Sequence, residues 1–328
     1  MFSAKEGDYV LRLKSGMKNP NPAFRDRVLF RISDREHPRV GKKYRVWPLL
    51  EFSWAVDDHL LKVTHIIRGK ELMMEGEVQK FIWDIFKWKY PQLIYTGLIK
   101  IGGIAGKLSK SKAQKEVRSG EYSGWDDPRT WSVQSLARRG ILAESLREFV
   151  EKIGLNQNEI IVPIDELYAI NRRKLDSKAN RYFFVENPVE ISISNTPKKK
   201  FVSVKIHPEK NKMKTISIGN EIFVSLKDFN NFKGKEVRLM HLYNVKLDKQ
   251  ANFTSEENFP DIKKIHWVSK GVKTKVMMPN GVFVEGLAED NIRKLKTGDI
   301  VQFERFGFCR FDGINRFSGD YEFWFAHD

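Results

Sequence analysis

Cysteine is almost absent from this sequence: among 328 residues, only Cys309 carries a thiol. A single cysteine excludes an internal disulfide and a zinc site built on cysteines, and it suits a reducing compartment. No apolar run approaches the ~18 residues that a membrane span requires. The opening residues, MFSAKEGDYV, lack the apolar stretch of a signal peptide. These absences predict a soluble, cytoplasmic protein without a membrane partner.

Acidic residues are outnumbered by basic ones. The chain has 58 Lys and Arg against 42 Asp and Glu, which gives a net charge of +16 and a pI of about 9.6. Such an excess indicates a polyanionic partner, with nucleic acid ahead of a membrane surface. The length allows two or three domains, and the apolar content of 41% is sufficient for folded cores.

The hydrophobic pattern changes along the chain. Residues 46–115 mix helical and strand patterns, including a predicted buried strand over 63–67. Residues 116–180 are mostly helical. From about Tyr182 the apolar period becomes two, with about eight short strands and hairpin signals at 219–220 and 280–281. We therefore predict an α/β part followed by an all-β part of barrel or sandwich type.

A cationic loop follows the glycine-rich stretch IKIGGIAG. Residues 107–111 read KLSKS, and six basic residues stand against one acidic residue between Lys100 and Arg118. The glycines allow the backbone to approach a ligand, while ammonium and hydroxyl groups donate hydrogen bonds to a compact anion. On this evidence alone, the loop fits a triphosphate or a contact with an RNA backbone.

The spacing of Lys107-Leu108-Ser109-Lys110-Ser111 resembles the KMSKS signature of class I aminoacyl-tRNA synthetases, with leucine for methionine. Further segments resemble, in order and spacing, glutamyl-tRNA synthetases of the archaeal and eukaryotic branch: WPLLEF at 47–52, THIIRGKE at 64–71, GWDDPRT at 124–130 and FERFGF at 303–308. The resemblance covers nearly the whole chain.

The resemblance implies an architecture in three parts. Residues 1–115 would form the second half of a Rossmann-like catalytic domain, residues 116–181 a helical region that contacts the tRNA stem, and residues 182–328 a β-barrel anticodon-binding region, in two barrels. The HIGH signature of the family has no counterpart here. The chain is thus interpreted either as a fragment or as a subunit whose partner carries the N-terminal half.

The resemblance also implies a function, that of a glutamate–tRNA ligase. ATP, carrying Mg²⁺ as part of the substrate, would activate L-glutamate, which then passes to the 3′ end of tRNA(Glu). No metal held by the protein itself is predicted. Lys107 and Lys110 would be catalytic, and the ATP-binding residues would be Lys107, Leu108, Ser109, Lys110 and Ser111.

The remaining site residues follow from the same resemblance, except Arg238 and Arg305, which are residues of the β region that could read single-stranded anticodon bases. The predicted glutamate-binding residues are Arg68, Asp57 and His65. The predicted tRNA-binding residues are Trp125, Arg129, Arg138, Arg139, Arg238 and Arg305.

Other interpretations of these residues remain open. Arg68 could instead form an ion pair with Asp57 or Asp58, and the arginines at 138 and 139 could lie on a solvated helix face. Aromatic residues of the β region could simply fill a barrel. Leu50 replaces a tyrosine that is usual in the family, which removes a hydroxyl from the amino acid pocket. The alternative functions are a non-catalytic tRNA-binding module and a glutaminyl-tRNA synthetase, against which Arg68 argues.

Overall fold

The structure is a computed structural model that describes residues 1–103, 109–219 and 221–328. Its helices are α1 Leu50–Leu60, α2 Met73–Phe86, α3 Lys110–Ser119, α4 Val133–Arg139, α5 Ala143–Ile153, α6 Ile164–Leu175 and α7 Leu226–Phe232. Among the residues described, no helix has the length and apolar character needed to cross a membrane.

The strands fall into an N-terminal and a C-terminal group. The first group is β1 Val10–Arg12, β2 Val28–Ile32, β3 Val46–Pro48, β4 His65–Gly69, β5 Gln92–Thr96, β6 Ile99–Gly102 and β7 Ile160–Pro163. The second group is β8 Asn180–Tyr182, β9 Phe184–Glu186, β10 Pro188–Ser194, β11 Phe201–Lys205, β12 Met213–Ser217, β13 Glu221–Ser225, β14 Glu236–Leu239, β15 Asn244–Lys246, β16 Gln250–Ser255, β17 Lys264–Ile265, β18 Gly271–Met277, β19 Phe283–Glu289, β20 Ile300–Phe303, β21 Gly307–Ile314 and β22 Tyr321–His327.

The chain divides into two compact units. The first contains Met1–Lys100 and Ile153–Val162, and the second contains Ile101–Lys152 and Pro163–Asp328. The functional division at residues 115 and 181 that the sequence suggests stays a prediction.

The first unit is mixed α/β. Strands β1, β2 and β3 form an antiparallel sheet, while β4 and β5 pair in parallel and are joined through α2. Parallel neighbours need such a crossover connection, and the amphipathic stripe of α2 supplies it. Val78, Ile82 and Trp83 of that stripe are buried against α1, and Trp83 Nε1 donates a hydrogen bond to the Ala55 carbonyl at 2.8 Å.

The predicted buried strand lies two residues later than expected, and it is not buried. The observed strand is β4, and its Ile67 side chain is 59% exposed. The prediction was wrong because only one face of β4 meets the helices: Ile66 packs against the apolar cluster of α1 and α2, whereas Ile67 points to the opposite face and stays exposed.

The second unit begins with helices and ends in β structure. A six-stranded sheet has the order β13-β10-β16-β15-β14-β17, and a seven-stranded sheet has the order β8-β20-β21-β22-β18-β19-β9. Each has its own apolar core, one centred on Trp267 and Tyr243 and the other on Phe303 and Phe323. The predicted all-β region is confirmed. Tyr243, Trp267 and Phe308 are all buried, so these aromatic residues fill the interior.

The two predicted hairpins have different outcomes. Strands β18 and β19 pair in antiparallel fashion across residues 278–282, with Gly281 at a φ of +83°, so the hairpin at 280–281 is confirmed. The hairpin at 219–220 is wrong, since β12 pairs with β11 while β13 pairs with β10. Asn220 itself lies outside the described residues.

Candidate functional site

The KLSKS segment is described from Ser109 onward, and Lys107 and Leu108 lie outside the described residues. Ser109 is the N-cap of α3, and its Oγ accepts a hydrogen bond from the Lys112 amide at 3.4 Å. Lys110 is the first residue of the helix and is exposed. The start of a helix carries partial positive charge and free amide groups, so the ammonium of Lys110 stands where an anion binds well.

The rest of α3 adds positive charge. Ser111, Lys112, Lys115 and Arg118 are exposed, and only Glu116 opposes the cations, at 3.7 Å from Lys112. An exposed helix with this charge attracts phosphate groups, whether they belong to a nucleotide or to RNA.

Arg68 lies on β4 near its carboxyl end, and a buried amide holds it in place. Its Nη1 donates to Gln79 Oε1 at 2.7 Å, and Gln79 Nε2 donates to Asp58 Oδ2 at 3.0 Å. Gln79 is fully buried, and the Arg68 guanidinium stacks on Trp54 at 5.0 Å from the ring centre. The alternative of a direct ion pair between Arg68 and Asp57 or Asp58 is therefore not observed.

The neutral partner of Arg68 has an electrostatic consequence. Because Gln79 carries no charge, it orients the guanidinium without neutralising it. Among the described residues, the Arg68 guanidinium makes one side-chain hydrogen bond, through Nη1 to Gln79, which leaves its Nε and Nη2 groups without a protein acceptor. A half-buried guanidinium with free donors can bind a carboxylate through two parallel hydrogen bonds.

The other two predicted glutamate-binding residues lie in the same unit but do not bond to Arg68. Asp57 is exposed on α1, and His65 is exposed at the start of β4, where its Nδ1 lies 3.0 Å from Thr64 Oγ1. Gln79 and Trp54, which do contact Arg68, were missed by sequence reasoning. The available signal was a polar amide, Gln79, within the apolar stripe of α2.

The GWDDPRT segment forms a tight turn before α4. Asp127 Oδ1 accepts from both the amide and Nε of Arg129, at 3.0 and 2.9 Å, and the guanidinium of Arg129 stacks on Tyr122. Burial alone would raise the pKa of Asp127, but its hydrogen bonds to Arg129 and Ser123 outweigh this and lower it. Trp125 remains partly exposed in this turn.

The two arginines at the end of α4 have different environments. Arg138 is half-buried and bridges Asp126 and Asp312, at 2.7 and 2.6 Å. Arg139 is fully buried and donates to the carbonyls of Phe325 and Ala326, at 3.0 and 2.8 Å. A fully buried guanidinium has no surface left for a phosphate. The structure therefore corrects the predicted tRNA contact of Arg139, which joins α4 to β22 instead.

The two predicted arginines of the β region are also paired within the chain. Arg238 Nη1 donates to Asn244 Oδ1 at 2.9 Å and to the Glu257 carbonyl at 3.0 Å. Arg305, which is about one third exposed, donates two parallel hydrogen bonds of 2.8 Å to Asp228. Arg305 thus combines a fixed orientation with an accessible edge.

A cavity of about 470 Å³ near the β11–β12 hairpin was not predicted from the sequence. Arg181, Lys205, His241 and Glu304 supply its charged and polar lining, together with apolar side chains. Burial raises the pKa of Glu304 and lowers the pKa of His241. His241 also has a φ of +63°, which is unusual for a bulky residue and typical of strained functional positions. The ring of His241 offers a stacking surface, and the charged side chains offer hydrogen-bond partners to the edge of a base. The cavity therefore suits an unstacked nucleobase.

Within residues 1–103, 109–219 and 221–328, no group of three or more His, Cys, Asp or Glu side chains is placed to hold a metal ion.

Comparison with protein families divides the chain into three matches. Residues 1–177 match the catalytic domain of tRNA synthetases class I (E and Q). Residues 179–263 and 264–312 match two anti-codon binding domains of the same enzymes.

Curated relatives agree with these matches. The chain is 42% identical to the glutamate–tRNA ligase of Archaeoglobus fulgidus over 317 residues, which cover 95% of the chain and 57% of that protein. It is 42% identical to the enzyme of Pyrococcus abyssi, over 94% of the chain and 57% of that protein. The chain thus spans somewhat more than half the length of these relatives.

A solved glutamate tRNA ligase from Elizabethkingia meningosepticum aligns with 53% of the chain at 18% identity, with a TM-score of 0.31, which is too low to carry an argument. The family matches do not depend on it, because the catalytic-domain match alone covers more than half of the chain. The chain belongs to the class I aminoacyl-tRNA synthetases of the glutamate and glutamine branch.

Proposed function

We propose that this chain is the C-terminal part of a glutamate–tRNA ligase. It would supply the KLSKS loop, part of the glutamate pocket and the surface that binds tRNA. The observation that carries the proposal is the support of Arg68 by the neutral amide of Gln79, at 2.7 Å. The positive charge of Arg68 remains available for the side-chain carboxylate of glutamate, whereas the uncharged amide of glutamine would leave that charge unpaired.

The first step of the reaction is attack of the glutamate α-carboxylate on the α-phosphorus of ATP, which releases pyrophosphate. Negative charge builds up on the departing pyrophosphate. Lys110, at the exposed start of α3, and Lys107 would stabilise it with preplaced positive charge. The Mg²⁺ ion would arrive with ATP, held mainly by phosphate oxygens and water.

The second step transfers glutamate from the adenylate to the terminal ribose of tRNA(Glu). The chain would hold that RNA through its basic surfaces and the two β regions. The matches to anti-codon binding domains support this assignment, as does the cavity lined by Arg181 and His241. The arginines at 129, 138, 238 and 305 would contribute to the RNA-facing surface with the edges that their internal partners leave free.

A separate N-terminal half carrying the HIGH signature would complete the enzyme. Parallel sheets are normally covered on both faces, and β4 has only β5 as a neighbour within the described residues. The exposed Ile67 of β4 would then be covered by the missing half. We retain the three functional parts, 1–115, 116–181 and 182–328, within this proposal.

One experiment tests the proposal against a non-catalytic tRNA-binding module. The purified chain is mixed with the N-terminal part of the Archaeoglobus fulgidus ligase, and glutamate-dependent pyrophosphate exchange is followed with tRNA(Glu) present. If exchange occurs only when both proteins are present, the chain is one part of a split ligase. If no exchange occurs but the chain binds tRNA(Glu), the binding module is the correct function. Exchange with glutamine in place of glutamate would favour a glutaminyl enzyme.

A further inference from the structure

A second cavity, of about 480 Å³, lies between the start of α3 and the turn that precedes α4. It is lined by Lys110 and Ala113 from the helix and by Trp125, Trp131 and Gln134 from the turn and α4. All of these residues belong to the second unit. The resemblance predicts that Trp125 contacts tRNA without saying how, and the reaction proposed above gives no role to Trp131 and Gln134.

The wall that carries Trp125 is fixed by hydrogen bonds. The Trp125 carbonyl accepts from Thr130 Oγ1 at 2.8 Å and also from Ser132 Oγ. Ser132 in turn is the N-cap of α4. The hydroxyl groups of Thr130 and Ser132 therefore stabilise the turn by hydrogen bonds within it. Trp125 itself stays 37% exposed.

Trp131 is held in an unfavourable backbone conformation. Its φ is +54°, in the left-handed region that bulky residues rarely adopt and that is concentrated at functional sites. The buried guanidinium of Arg139 lies 4.7 Å from the centre of the Trp131 ring. The two carbonyls that fix Arg139 therefore also fix the position of this ring, and the cavity is preformed.

The side chains that line the cavity indicate which kind of ligand it can bind. Two indole rings offer stacking surface to a planar aromatic group, and the exposed amide of Gln134 offers one donor and one acceptor to the edge of such a ring. The ammonium of Lys110 lines the same cavity, and α3 carries further cations, so the ligand should carry negative charge. A planar base with an attached phosphate has these properties.

We propose that this cavity binds one unstacked nucleotide of the tRNA, with its base against Trp125 and Trp131 and its phosphate near Lys110. The assignment rests on the proposed function, because it takes tRNA as the ligand. It adds a base contact to a part of the chain that would otherwise meet only the RNA backbone. The contact uses no residue of the cavity lined by Arg181.

The test measures the affinity of the chain for a tRNA(Glu) transcript as a function of salt concentration. Stacking of one base on an aromatic side chain is worth about fivefold to hundredfold in affinity, so Trp125→Ala should weaken binding by that amount. Because no phosphate contact is removed, the slope of log K against log salt should not change. Lys110→Ala should instead reduce that slope by about one.

Matched variants separate a base contact from damage to the fold. Trp125→Phe keeps an aromatic ring and should restore most of the affinity, whereas Trp125→Leu should not. Phe317→Ala removes an exposed aromatic residue elsewhere in the same unit and should have little effect. In footprinting of the bound transcript, one base should lose its protection in the Trp125→Ala complex alone.

Three outcomes overturn the proposal. The first is unchanged affinity of Trp125→Ala while the wild-type chain binds tRNA, and the second is equal recovery by Trp125→Phe and Trp125→Leu. The third is quenching of tryptophan fluorescence by free ATP in competition with tRNA, which would assign the cavity to a free nucleotide. If the wild-type chain binds no tRNA(Glu), the proposed function itself fails, and that result is distinct from the other three.

Discussion

The ammonium of Lys214 lies 2.7 Å from the carboxylate of Glu289, and both side chains are almost entirely buried. Lys214 belongs to β12 and Glu289 ends β19, so the pair joins the β11–β12 hairpin to the seven-stranded sheet. Lys214 also donates to the Arg181 carbonyl at 2.8 Å, and the same carboxylate accepts from the Phe183 amide at 3.0 Å. Every charge in this cluster has a partner.

Lys214→Met should destabilise the second unit strongly. Removing one member of a buried ion pair leaves the other charge without compensation, which costs about 3–5 kcal/mol. Urea unfolding followed by circular dichroism measures the change. Lys199→Met removes a lysine from the exposed pair with Glu256 and should cost less than about 1 kcal/mol. Similar effects of the two substitutions would contradict this account of the buried pair.

Gln79→Leu should weaken the use of glutamate without weakening the use of ATP. The substitution removes the acceptor that fixes Arg68, and a hydrogen bond to a charged group is worth about 1.5–3 kcal/mol. We expect the KM for glutamate to rise about tenfold or more, with the KM for ATP nearly constant, in pyrophosphate exchange with the complemented chain. Gln92→Leu, at an exposed position of β5, is the control. A rise in both KM values would point to a general defect of the fold.

Lys110→Ala should separate catalysis from RNA binding. Loss of one preplaced cation from a phosphoryl transition state costs about a hundredfold to a thousandfold in rate. The affinity for tRNA(Glu) should fall only by the loss of a single phosphate contact. Lys115→Ala, on the same helix, should leave the exchange rate almost unchanged. Parallel losses of exchange and tRNA affinity in Lys110→Ala would show that this lysine is an RNA contact and no more.

The stability of the second unit should fall as the solution is acidified from neutral pH. Burial lowers the pKa of His266 to about 3, and the nearby charge of Arg305 adds to the effect. The unfolded chain takes up a proton near pH 6.5 while the folded chain does not, so stability is complete above that pH and declines below it, by up to about 1.4 kcal/mol per pH unit. His266→Asn should flatten this decline in urea titrations at pH 7 and pH 5. The control is His65→Asn, which replaces an exposed histidine and should leave the decline of stability with falling pH unchanged.

Much of the fold followed from patterns that act over short stretches of chain. The period of two after residue 182 and the glycine at 281 led to correct predictions of β structure and a hairpin. The turn signal at 219–220 failed because a turn specifies that the chain reverses and does not specify which strands then pair. Strands β12 and β13 pair in different sheets although Ile216 and Ile222 pack in the same apolar core, and the choice of pairing partner for β13 depends on β10, about 30 residues earlier in the sequence.

The candidate site could be predicted only in part, for a related reason. A basic residue looks the same in the sequence whether it is exposed, as Lys110 is, or fully buried, as Arg139 is. The carbonyl partners of Arg139 lie almost 190 residues away in β22, so no local sequence pattern indicates them. Gln79 gave a stronger signal, because an amide among apolar helix positions must find partners when it is buried.

Among the described residues, β4 has an open edge, and this has a practical consequence for handling the chain. An exposed strand edge with an apolar side chain such as Ile67 is a template for pairing with other copies. Concentrated preparations should therefore self-associate through this edge, and coexpression with the N-terminal half that we propose should raise the yield of monodisperse material.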